Sequence, residues 1–228
     1  MGRTIGKTGN RKVGEITLVR HGQANTTATN EDDYDRLSDL GHQQAAWLGA
    51  YLRAHEPPFD RVLMGTLRRH HQTATAMGDV GPVADVDDRL NEMDYFNLGR
   101  ALQDRHGVPL PGPGEFAAHA PQVMEAWHRA EIMGNESFAA FETRVTDVLQ
   151  EAAQPGARVL CVTSGGVIGM VLRSLLNLDA RRLAHVLTPI FNSSVHRVQV
   201  TPGGTILSGF NATPHLDTPD RTHARTTS

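Results

Sequence analysis

Short apolar runs that end in glycine-containing polar turns, and that alternate with helix-length segments, constrain the fold of this chain most. Residues 15–19 (EITLV) lead directly into Arg20-His21-Gly22, and residues 158–162 (RVLCV) into Thr163-Ser164-Gly165-Gly166. Runs of this length and β-branched character read as strands buried on both faces. Ser38 caps a helix to about Ala54, with Ala45, Leu48 and Leu52 on one face and Pro57-Pro58 beyond its end. Residues 61–64 (RVLM) give a second strand, 66–77 a helix and 83–86 a third strand. Residues 138–153 place Phe141, Val145, Val148 and Leu149 at core spacing on a helix, and 167–176 form an apolar one. Such alternation predicts an α/β fold, a three-layer α/β/α sandwich with a mostly parallel central sheet. Sites in such sheets gather at the carboxyl ends of the strands.

Three stretches depart from the alternation. Residues 25–35 are polar and acidic, which suggests an exposed connection. Residues 97–134 hold Pro109, Pro111 and Pro113 before PQVMEAWHRAEIM, and read as a loop and helix forming a small cap insertion. Near the end, SVHRVQV and TILSGF flank Thr201-Pro202-Gly203-Gly204, the pattern of a hairpin at a sheet edge. The expected organisation is a flexible leader over 1–13, one domain over 14–212 and a loose tail over 213–228.

With 22 Lys and Arg against 25 Asp and Glu, the formal charge is -3. That balance gives no field to attract nucleic acid or an anionic membrane, so an anionic ligand needs a local cluster of cations. The single cysteine, Cys161, excludes an internal disulfide and suits a reducing compartment. No apolar run approaches the roughly 18 residues of a membrane span, and the first dozen residues lack the apolar segment of a signal peptide. A cytoplasmic protein is expected, with a homodimer left open. Gly2 to Thr8 (GRTIGKT) imitates a phosphate-binding loop, but it has one spacer too few and no preceding strand.

His21 is the residue with the clearest chemistry. It sits where a buried strand opens into a cleft, between Arg20 and Gly22. A neutral imidazole nitrogen is a competent nucleophile near pH 7 and can accept a phosphoryl group. A neighbouring guanidinium can grip phosphate oxygens, and a glycine lets backbone N–H groups approach an anion. Arg69, in GTLRRHHQTA after the second strand, falls near a helix N-terminus, where anions are favoured. Glu92 follows the third strand in RLNE.

In this order, LVRHG at 18–22, the helix start at 37–45, GTLRRHHQTA at 65–74 and Leu-x-Glu at 90–92 resemble the histidine phosphatase (phosphoglycerate-mutase-like) superfamily. The resemblance covers roughly residues 15–176. It implies a metal-independent hydrolase that needs no cofactor and acts on a small phosphorylated substrate or a phosphopeptide. In it His21 is the phospho-acceptor and Arg20 and Arg69 clamp the phosphate. Glu92 is the acid that protonates the leaving oxygen and later helps activate water.

The chain departs from that pattern in places. Where the family has a second histidine, in a Ser-His-Gly-Gly turn, this chain has Ser164. A hydroxyl donates one neutral hydrogen bond where an imidazolium would donate a charged one. Ser164 and the amides of Gly165 and Gly166 still form a helix N-terminus suited to an anion. The family's Ser before the arginine helix is Gly65, and its Glu-Thr is Gln23-Ala24. His70 and His71 flank Arg69, and either could point into the pocket to compensate, though a helix-surface histidine is ordinarily solvated; His196 is expected on an edge strand. Two other readings stay open, a mutase that returns the phosphoryl group to a second hydroxyl and a catalytically weak protein that binds a phosphorylated ligand.

Overall fold

Period-two alternation along the two central strands explains why helices cover both faces of the sheet. A computed structural model of the chain describes residues 13–112 and 114–227. In β1 (Gly14–Arg20), Ile16 and Leu18 enter one buried cluster and Val19 the other. In β4 (Arg158–Thr163), Val159 and Cys161 join the first cluster, Leu160 and Val162 the second. Successive side chains of a strand face opposite sides, so a strand apolar at every position needs a layer on each face.

Six strands form one sheet in the order β3-β2-β4-β1-β5-β6. β2 (Arg61–Met64), β3 (Asp85–Val86), β4 and β1 run parallel; β5 (Val195–Thr201) and β6 (Gly204–Ala212) add an antiparallel edge. The third strand is two residues long, shorter than the 83–86 expected from its apolar pattern. His196 falls on β5, inside the sheet and not at its edge; it is buried, with Nε2 against Ser194 Oγ and Nδ1 accepting from Asn211 N–H.

One layer is made by α2 (Asp39–His55) and α3 (Arg68–Met77). Ser38 Oγ accepts from Gly41 N–H at 3.1 Å, the N-cap read from the sequence. The opposite layer holds α6 (Phe138–Ala152) and α7 (Gly165–Leu176). α4 (Tyr95–His106), α5 (Phe116–His128) and α8 (Ala180–Leu187) pack with them around Trp127, which meets Phe138 and Phe141 at ring separations of 5.2 and 5.5 Å. The segment read as loop plus helix thus contains two helices. α8, capped by Asp179, was not anticipated, because eight residues give few turns of periodicity.

Two further readings change. Residues 31–34 of the acidic connection form a short helix, α1 (Glu31–Tyr34). Residues 213–227, expected as a loose tail, instead pack on the domain: Leu216 and Ala224 are buried, and Gln44 Nε2 donates to Ala224 O at 2.7 Å. A composition rich in Thr, Pro and Asp does not reveal single apolar anchors of this kind. Residues 1–12, with the imitation phosphate loop, lie outside the described residues.

Candidate active site

The register between the two central strands builds the site. Arg20 pairs with Thr163, so His21 and Ser164 leave the sheet side by side. His21 N–H donates to Thr163 O at 2.9 Å, and Ser193 N–H donates to His21 O at 3.1 Å. The imidazole is 2% exposed. Its Nδ1 lies 2.7 Å from Gly22 O. A carbonyl only accepts, so Nδ1 carries the proton and Nε2 the lone pair. No other hydrogen bond reaches the ring among the described residues. Burial, then the nearby charges of Arg69 and Arg20, hold the imidazole pKa well below its ordinary value. The ring is therefore neutral at pH 7.

Arg69 is fully buried in the first turn of α3. Its Nη1 pairs with Glu31 at 2.7 Å and Asp35 at 3.2 Å, while Nε and Nη2 have no partner. Arg20 donates through Nη1 to Ile190 O and to Thr227 O, the latter at 2.8 Å; its buried Nε is unpaired. Leaving a buried donor unpaired costs about 1–3 kcal/mol. Three orphaned guanidinium N–H groups beside a neutral imidazole mark a place for an anionic acceptor. The N-terminus of α3 itself is already occupied. Asp35 accepts from Arg68 N–H at 2.8 Å and Arg69 N–H at 3.1 Å, so the anion favoured there is a carboxylate of the chain.

Glu92 follows a single turn at Asp88–Leu90. Its Oε2 accepts from Gly166 N–H at 2.8 Å and its Oε1 from Met93 N–H at 3.1 Å. Burial nevertheless raises its pKa, against the opposing pull of those amides and of Arg69. Gly165 stands at the first position of α7, and a Cβ there would lie 3.6 Å from Arg20 Nε. Gly22 does something other than the sequence suggested. Its N–H donates to Thr73 Oγ1 at 3.1 Å and is not free for an anion. Glycine is needed because a Cβ would stand within 3 Å of Gly41 backbone atoms at the start of α2.

His70 is not the solvated surface residue expected of that helix position. It is fully buried, its Nε2 lies 2.7 Å from Ser164 Oγ, and its ring centroid is 5.9 Å from that of His21. A cavity of about 250 Å³ opens beside this cluster, lined by its neighbours Arg20, Arg69 and Gly165 and not by His21, His70 or Ser164 themselves. Arg20, Arg69, Glu92 and Gly165 line its floor; Tyr34, Met93, Tyr95, Phe96 and Phe116 line its wall. Glu31, Tyr34, Asp35 and Thr227 are the site residues that sequence reasoning left out, whereas His70 was named there and set aside as solvated. Only His70 carried a signal, a histidine directly after the clamp arginine. Among the described residues no group of three or more His, Cys, Asp or Glu side chains could hold a metal ion, and no helix is long and apolar enough to cross a membrane. Cys161 is buried, which pushes its thiol pKa up to about 12 and leaves it unreactive.

Fold and cavity together define an α/β protein whose pocket, at the carboxyl ends of its parallel strands, joins an anion-suited floor to a mostly aromatic wall. The model of the Histidine phosphatase superfamily (branch 1) matches residues 16–213, and the chain belongs to that superfamily. It is 26% identical over 196 residues to the mitochondrial serine/threonine-protein phosphatase Pgam5 of Drosophila virilis, covering 84% of this chain and 60% of that one. This chain thus spans about three-fifths of that relative's length. A broad-specificity phosphatase of Saccharomyces cerevisiae is 28% identical over 197 residues, 79% of this chain and 76% of the relative. The fold is also that of the phosphoglycerate mutase structure from Bacillus anthracis, at a TM-score of 0.65 and 19% identity over 90% of this chain and 96% of that one.

Proposed function

We propose that the chain is a phosphomonoesterase that works through a phosphoryl group carried on His21 Nε2. The observation that carries this reading is the His21 tautomer, fixed by Gly22 O, with its free nitrogen beside three unpaired guanidinium N–H groups. Nε2 attacks phosphorus as the ester P–O bond breaks. The carboxyl of Glu92, whose pKa burial raises, gives its proton to the leaving oxygen. The resulting carboxylate then takes a proton from water, whose oxygen bonds to phosphorus as the P–N bond breaks. Inorganic phosphate leaves and the imidazole is restored. The N–H groups of Arg20 and Arg69 take up the charge on the phosphoryl oxygens.

Phosphatase relatives support hydrolysis, and the cavity wall supports it over mutase chemistry. Beyond Arg20 and Arg69 at the floor, no described cavity-lining residue is a cation. The carboxylate of a phosphorylated sugar acid would therefore lack a partner, whereas an apolar or aromatic ester suits Tyr34, Phe96 and Phe116. Phosphate release from an aryl phosphate, set against a panel of phosphorylated metabolites, tests this directly. His21→Ala should lower kcat at least about a thousandfold. An alanine variant with full activity would overturn the reading.

A further inference from the structure

Gly65 and His70, at the end of β2 and the start of α3, meet the sequence-distant Ser164 at one point beside His21. His70 Nε2 lies 2.7 Å from Ser164 Oγ, and both residues are fully buried. His70 Nδ1 has no partner and faces the space over Gly65. A Cβ on residue 65 would stand 2.8 Å from His70 Cε1, closer still to Nδ1, and 2.6 Å from Asn91 Oδ1. The ring can occupy this place only because residue 65 has no side chain.

The proton on His70 follows from the same contacts. A buried N–H without an acceptor is rarer and costlier than a bare lone pair. The proton therefore sits on Nε2 and is donated to Ser164 Oγ. That fixes the serine's own proton on the other side of its oxygen. Ser164 Oγ makes no hydrogen bond to cap α7, and the β1–β4 register sets Ser164 directly beside His21.

We propose that His70 is a positioning residue for phosphoryl transfer: it holds the Ser164 hydroxyl so that its O–H is donated to an oxygen of the phosphoryl group on His21. Gly65 is the slot that admits the ring. The two departures from the family pattern at positions 65 and 164 are then one rearrangement, which His70 completes. A donor that the resemblance places on a single residue at 164 is assembled here from α3 and the start of α7. The proposal rests on the phosphohistidine reading above.

Steady-state kinetics on an aryl phosphate test it, with thermal melting to establish folding. His70→Ala should lower kcat about thirty- to a hundredfold, toward the loss seen when one preorganised donor is removed, with KM changed less than about twofold. Ser164→Ala should match it, and the double variant should be no worse than either single one, because the two act as a unit. His70→Gln, whose amide N–H can reach the same oxygen, should recover most of the rate. Gly65→Ser should cost as much as His70→Ala alone, yet cost nothing further in the His70→Ala background. If His70→Ala proves unstable, Gly65→Ser/His70→Ala, which refills the space, carries the same comparison with wild type. Wild-type kcat in a folded His70→Ala protein, losses that multiply in the double variants, or a loss confined to KM would each overturn the proposal. An active His21→Ala protein would instead overturn the phosphohistidine reading. An inactive one alongside a fully active His70→Ala overturns only the positioning role.

Discussion

The floor and the wall of the cavity are built on opposite rules. Floor residues are polar, buried or half-buried, and restrained by backbone: Arg20 by Ile190 O and Thr227 O, Glu92 by the Gly166 and Met93 amides, and the buried His21 next to Arg20 by Gly22 O. They nonetheless leave donors unpaired. The wall is mostly aromatic and partly exposed, and the Tyr95 hydroxyl is already engaged in a 2.7 Å hydrogen bond with His119 Nδ1. The floor is thus arranged for charge that a ligand brings, and the wall for shape and apolar area. Changes at the floor should act on the chemical step, and changes at the wall on binding.

The largest effect that sharpens this contrast is expected at Arg69. Arg69→Ala removes two unpaired donors and should lower kcat/KM by about 10²- to 10³-fold, read from progress curves on an aryl phosphate. Arg69→Lys should recover little of this, because an ammonium cannot reproduce the planar fork. At the wall, Phe116→Ala should raise KM for an aromatic ester about five- to tenfold and leave kcat unchanged, as expected for lost apolar burial. Methyl phosphate, too small to reach Phe116, should show no difference. A kcat loss in Phe116→Ala would break the division between the two regions.

The smallest effect concerns pH. Burial pushes the Glu31 carboxyl up to about 6, even though it pairs with Arg69. Above that pH the carboxylate is charged and repels a phosphate drawn to Arg69; below it, protonation removes the repulsion. KM should therefore rise about three- to tenfold more between pH 5 and 7.5 in wild type than in Glu31→Gln. Ionisation of the substrate is common to both proteins and cancels in the ratio. His21 is present in both proteins, so its titration cancels in the ratio as well. Parallel profiles would show that Glu31 does not meet the ligand.

How legible these regions were follows from their physical origin. The floor was largely readable, because Arg20 and His21 directly follow an apolar strand run, and Arg69 and Glu92 stand at fixed spacing in local motifs. The wall was not. Tyr34 lies in a polar connection with no periodicity, and α4 begins at Tyr95 after an Asp94 cap whose signal is masked by the prolines beyond it. Gly22 was misassigned because local sequence cannot show that α2 would press on it. His70 was set aside as a solvated helix residue because only the pairing of β2 with β4 brings Ser164 within reach of α3. Contacts set by strand register are invisible in a linear motif.

The tautomer of His21 decides which nitrogen can carry the phosphoryl group, and that can be measured. The enzyme should be mixed with an excess of aryl phosphate, quenched in alkali and its phosphoryl adduct assigned by ³¹P NMR and peptide mass spectrometry. The account predicts a phosphoramidate on His21 Nε2, absent in His21→Ala. An adduct on Nδ1 or on another residue, or rapid turnover with no phosphorylated His21, would contradict it.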